Sequence, residues 1–175
     1  MDLIASFSSK KIRSFHFFNI QGLFGQKVIP FLADTGAACP VIGLRNFFSP
    51  VDAENFEDKI SAFERVLRDE IDLQHISART DPLKTANSQH VTTYPCVCAN
   101  VSIGNIKGIP FYFDISFDSI STPLLGSSFI DDCAYNHAIG GFLNITGIKD
   151  NAGFGPYEGR ALLNFDRVVD RYLSL

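Results

Sequence analysis

Apolar positions along the chain recur with two different periods. Between Phe56 and Ile71 they fall at Phe56, Ile60, Phe63, Leu67 and Ile71, three or four residues apart, with charged residues between them. That spacing predicts an amphipathic helix whose charged face is solvated. Ser49-Pro50-Val51-Asp52 supplies an N-cap, a proline at the first helical position and an early acid, so the helix is expected over about residues 50–73. Elsewhere the pattern is strand-like. Lys11–Ile20 and Gln26–Ala33 form one hairpin around Gln21–Gly25, and a short strand follows at Cys39–Gly43. Leu83–Tyr94 reads as a second hairpin with its turn near Asn87-Ser88. Cys96–Ile103 and Ile109–Ser116 form a third around Gly104-Asn105. Leu162, Phe165, Val169 and Tyr172 return to helical spacing after the loop Gly153-Phe154-Gly155-Pro156. The chain is therefore mainly β, with an inserted helix and a helical tail.

Composition narrows the function classes. The 175 residues are 46% hydrophobic and include 17 Phe, enough for a substantial core in one domain. A net charge of −4, with no Lys/Arg cluster, argues against nucleic acid as a partner. No apolar run is long enough for a membrane span, because Asp34 interrupts the best candidate. The N-terminus lacks the basic-then-apolar order of a signal peptide, so a cytoplasmic chain or an excised domain is expected. Cys39, Cys96, Cys98 and Cys133 allow two disulfides or a zinc site on paper. Cys-x-Cys is not the usual zinc spacing, and buried free thiols are expected, with no metal or other cofactor.

The chemistry concentrates in Phe31-Leu32-Ala33-Asp34-Thr35-Gly36-Ala37-Ala38. A carboxylate at the end of an apolar strand needs donors for its lone pairs. Gly36 lets backbone N–H groups approach the acid, and Thr35 adds a hydroxyl. Read without context, the same residues make an ordinary strand-to-turn boundary with a turn-stabilising Asp. Two further stretches bear on the choice. Thr122-Pro123-Leu124-Leu125-Gly126-Ser127-Ser128-Phe129-Ile130 places a Gly after two apolar residues, and Ile109-Pro110-Phe111-Tyr112-Phe113-Asp114 echoes Ile29-Pro30-Phe31-Leu32-Ala33-Asp34.

Taken in order, these stretches resemble the retropepsin-like aspartic proteases, over roughly residues 12–146 with the helix excepted. The resemblance implies a retropepsin-like acid protease lobe, closed and β-barrel-like, over residues 1–146, with residues 147–175 as an extension packed on the lobe. It implies a catalytic Asp34-Thr35-Gly36, and substrate contacts at Ala37, at Asn87, Ser88 and Gln89 in the hairpin that closes over substrate, and at Leu125 and Gly126. Phe142-Leu143-Asn144-Ile145 matches the terminal strand that interleaves with a partner in viral members. One Asp-Thr-Gly per chain implies a homodimer that hydrolyses a peptide or protein substrate. Two departures stand out. Viral members pair an Asp four residues after the catalytic acid with an Arg after the second Gly, and here those positions hold Ala38 and Ser127. Asp114 is followed by Ile115-Ser116, so it is not expected to be a second catalytic acid. Two other readings stay open: a proteolytically weak or inactive dimerisation or peptide-binding module of the same fold, and an unrelated β-rich binding protein.

Overall fold

Strict alternation of buried and exposed residues builds the first hairpin. In β1 (Phe17–Gln21) Phe18 and Ile20 point inward, and in β2 (Val28–Ala33) Ile29 and Phe31 do the same. The two strands pair antiparallel from Phe17↔Leu32 to Gln21↔Val28. This computed structural model describes residues 16–50, 54–81, 83–84, 90–137 and 139–175. Strand exceeds helix in it, 36% against 26%, so the described residues are mainly β with three α-helices.

The other elements follow in order: β3 (Val41–Gly43), α1 (Phe56–Leu73), β4 (Leu83–Lys84), β5 (His90–Val91), β6 (Thr93–Ile103), β7 (Ile106–Ser116), β8 (Leu124–Leu125), α2 (Ser127–Ile130), β9 (Cys133–His137), β10 (Leu143–Ile148), β11 (Leu163–Asn164) and α3 (Phe165–Leu173). Seven strands form one mixed sheet in the order β1-β2-β8-β3-β7-β6-β11, and β1 pairs additionally with β6 through Ile20↔Ile103 and Gln21↔Ser102. The β6–β7 hairpin turns at Gly104-Asn105, and both of its strands run longer than the sequence pattern suggests. β9 and β10 form a separate two-stranded sheet, so the strand expected at Phe142–Ile145 finds its partner within the chain, Ile145 opposite Tyr135.

Of the helix expected over about residues 50–73, residues 51–53 lie outside the described residues. Asn55 adopts a left-handed backbone (φ 70°), and α1 begins after it at Phe56. Its apolar stripe is buried at Ile60, Phe63, Leu67 and Ile71, and Val66 joins it. Phe63 packs against Phe24, Phe47, Phe48, Phe165 and Tyr172, so α1, α3 and the β1–β2 turn share one aromatic cluster.

One charged residue of α1 departs from the solvated face expected of it. Glu70 is fully buried and accepts hydrogen bonds from Arg171 (2.7 Å) and Gln74 (2.7 Å), with Arg167 at 3.3 Å. The tail does more than pack as a helix. Before α3, Leu163 and Asn164 pair in parallel with Cys96 and Val97, so β11 extends the main sheet. The Asn164 side chain caps α3 by accepting from the Arg167 N–H, while Leu162, expected on the helix, precedes it. The four cysteines are free thiols, Cys39, Cys96 and Cys98 being buried. No helix among the described residues is long and apolar enough to cross a membrane.

Candidate active site

Asp34 emerges where three strand ends meet. β8 runs parallel to β2 (Leu32↔Leu124, Ala33↔Leu125) and touches β3 at Val41↔Leu124, so the loop 34–40 bridges the strands on either side of β8. Backbone hydrogen bonds lace the loop to the segment that follows β8. Asp34 N–H donates to the Leu125 carbonyl (3.2 Å), Ser127 N–H to Ala37 (2.9 Å) and Ser128 N–H to Ala38 (3.2 Å). Gly126 makes this crossing possible, since a Cβ there would lie 2.5 Å from the Cys39 backbone.

Within the loop, the Gly36 N–H donates to Asp34 Oδ1 (2.8 Å), and the Ala37 N–H donates to the Asp34 carbonyl (3.2 Å). The acid is thus held by its own turn, as the sequence suggests. A side chain on residue 36 would bring its Cβ to 3.0 Å from Asp34 Oδ1, which is why a glycine suits the position. The Asp34 residue is half-buried, and Thr35, Gly36 and Ala38 are exposed. A carboxylate so placed is rigid and reachable from solvent, which suits a role in acid–base chemistry.

The structure brings Asp34, Thr35, Gly36, Ala37, Leu125 and Gly126 together. Ala37 (4% exposed) is the buried residue of the loop's turn, and Leu125 and Gly126 are buried beside it. Asn87, Ser88 and Gln89 lie outside the described residues. The arms of their hairpin are described, with Leu83↔Val91 and Lys84↔His90 paired antiparallel.

A second acid, Asp114, has a contrasting environment. It is fully buried, and its carboxylate takes four hydrogen bonds from three separate segments. Arg79 Nε and Nη2 donate to Oδ2 (2.7 Å) and Oδ1 (2.8 Å), a bidentate pairing. Thr93 Oγ1 donates to Oδ2 (2.5 Å) and the Tyr157 hydroxyl to Oδ1 (2.6 Å). Burial, followed by the charge of Asp114, pushes the Tyr157 hydroxyl well above its ordinary range, so it keeps the proton it donates. The Cys39 thiol is pushed up for the same two reasons, and the hydrogen bonds to Asp114 push Arg79 further up. This cluster is a neutralised ion pair with its remaining lone pairs met, not a reactive centre.

Sequence reasoning singled out Asp114 through the repeated Ile-Pro-Phe pattern but missed Arg79, Thr93 and Tyr157. The one available signal was general, that an acid on an apolar strand needs a cation. Nothing local distinguishes Arg79, 35 residues away, from the other basic residues. Compared with protein-family models, with curated proteins and with solved structures, the chain matches none.

Proposed function

We propose that two copies of this chain assemble into a retropepsin-like aspartic endopeptidase, each contributing one Asp34. The observation that carries this reading is the Asp34-Thr35-Gly36 turn, with its carboxylate hydrogen-bonded by the Gly36 N–H and half-exposed above the Gly126 crossing. Peptide hydrolysis needs a base to activate water and an acid to polarise the scissile carbonyl. Two carboxylates in contact share one proton and supply both roles, without metal or other cofactor. The exposed Thr35 of each copy is available to hydrogen-bond across the two-fold axis. Pairing of β1 with both β2 and β6 supports the closed, barrel-like lobe that this reading calls for. The substrate is a peptide or protein, and the site of action is cytoplasmic.

One observation favours the alternative of a peptide-binding or dimerisation module with little proteolysis. Ala38 and Ser127 stand where viral members carry a charged pair, and backbone hydrogen bonds link the segments around them.

The test uses the shared site. Cleavage of a peptide library per protomer falls steeply when the protein is diluted below its dimer dissociation constant. Excess Asp34→Asn chain added to the wild type suppresses cleavage by forming mixed dimers. An active monomer by sedimentation, or no effect of the inactive chain, overturns the shared dyad.

A further inference from the structure

The buried cluster around Asp114 stands directly beside the loop that carries Asp34. Asp114 donates its backbone N–H to the carbonyl of Pro40 (2.8 Å), the residue that closes the loop, and it pairs with Val41 in the β3–β7 register. Cys39, one residue earlier, is 2% exposed. Its backbone is crossed by Gly126 at a distance that leaves no room for a side chain, and the charge of Asp114 adds to burial in pushing its thiol up. The exit of the loop is therefore held by β8 and by the cluster together. Tightly packed interiors have two discrete arrangements more readily than continuous play, so a shift of the cluster passes to Cys39 and Pro40. From there it reaches the carbonyls of Ala37 and Ala38 that anchor the loop to Ser127 and Ser128.

The tail's contribution is specific. Phe154 and Tyr157 lie over the outer face of β7 against Tyr112, with ring centroids 5.1 and 5.9 Å away. Arg79 lies over the Tyr157 ring and also donates to the Pro156 carbonyl (3.4 Å). A segment remote in sequence from Asp34 thereby supplies a hydroxyl at the base of the Asp34 loop.

We propose that Tyr157, acting through Asp114 and Arg79, is a positioning residue for the Asp34 loop. The catalytic consequence rests on the reading of Asp34 as half of a dyad, whereas the coupling of cluster to loop does not. Thr93 and Arg79 act on the same carboxylate from the residues that flank the 83–91 hairpin, so the cluster ties loop, hairpin roots and tail at one point.

The decisive experiment is amide hydrogen exchange on the full chain carrying Tyr157→Phe, which keeps the ring and removes the hydroxyl. Exchange at Ala37, Asp114, Ser127 and Ser128 is expected to accelerate about tenfold or more, the effect of one hydrogen bond to a charged group. Amides of the β1–β2 hairpin are expected to change less than about twofold, because that ladder does not depend on the cluster. An unchanged loop overturns the proposal, and so does uniform acceleration across the sheet, since both describe a merely structural tyrosine. Should Tyr157→Phe fail to fold, Thr93→Val removes another donor from the same carboxylate at nearly constant shape and carries the same comparison. In the cleavage assay Tyr157→Phe lowers kcat more than it raises KM, because the loop positions the acid. A wild-type chain that cleaves nothing strikes the dyad reading and leaves the exchange pattern to decide this one.

Discussion

Asp34 and Asp114 end two stretches that begin alike, Ile-Pro-Phe followed by two residues and an acid, yet they meet opposite fates. Beside Asp34, among the described residues, Leu32 of β2 packs in a small apolar group with Ala37, Val41, Ile120 and Leu124. The acid stays half-exposed, and the Gly36 N–H is its donor within the loop. Around Asp114 the outer face of β7 is roofed by Arg79 and by the tail at Phe154 and Tyr157, and the carboxylate is sealed with four donors. The same local strand therefore makes an accessible acid in one place and a structural anchor in the other. What differs is the layer laid over it. A buried charge must be neutralised, and one near water need not be.

That contrast can be broken by mutation, and the largest expected effect is on activity. On the proposed dyad, Asp34→Asn should lower peptide cleavage by about 10⁴-fold. Its folding stability should stay within about 0.5 kcal/mol of wild type, since an amide oxygen still accepts from Gly36. Steady-state cleavage and urea melts on one preparation test both halves.

Asp114→Asn should do the reverse at the level of stability. It leaves the Arg79 guanidinium, 8% exposed, without its counter-ion, at a cost of about 3–5 kcal/mol. Adding Arg79→Met should recover part of that loss, because an apolar replacement of a buried pair is far less costly than half of one. If Asp114→Asn melts like the wild type, the cluster is not the anchor described above.

Gly126→Ala sharpens the comparison from the loop side. Its Cβ would meet the Cys39 backbone at 2.5 Å, and backbone cannot swing away as a side chain can. Destabilisation of about 1–3 kcal/mol is expected, from chemical melts, with cleavage falling as the loop shifts.

Glu70 provides the smallest test, a third carboxylate that is buried but bordered by half-exposed arginines. Burial pushes its carboxyl up, but the hydrogen bonds from Arg171 and Gln74 and the charge of Arg167 outweigh that and hold it below its ordinary 4.5. A depressed folded value means the stabilisation is present above the ordinary value and lost as pH falls through the folded one. Wild type should therefore lose about 1 kcal/mol or less relative to Glu70→Gln between neutral pH and roughly pH 3. Equal acid sensitivity of the two proteins, read from urea midpoints, would remove Glu70 from the account.

Much of this architecture is legible in the residues themselves. The period-two alternation of Phe18, Ile20, Ile29 and Phe31 dictates the first hairpin, and Gly104-Asn105 marks the turn of the longest one. The stripe from Ile60 to Ile71 dictates α1, and the left-handed Asn55 sets where it begins. The Asp34 turn was equally local, because Gly36 reaches its acid over two residues. Such features depend on contacts a few residues apart, where side-chain chemistry and backbone period act directly.

Other features depend on which distant surfaces come to lie together, and no local period encodes that. Glu70 and Arg171 are 101 residues apart, so nothing around Glu70 distinguishes it from its solvated neighbours on the helix. Leu163 and Asn164 fall inside the helical spacing that begins at Leu162, and become a strand because the open edge of β6 accepts them. By itself the sequence determined where the acid of the Asp34 loop stands, what holds its turn, and that two similar strands would each end in a carboxylate. Tertiary structure alone decided which of the two stays open to water. The roof over Asp114 is assembled from Arg79 and Tyr157, 35 and 43 residues away, and the face above Asp34 receives no such cover from the described residues.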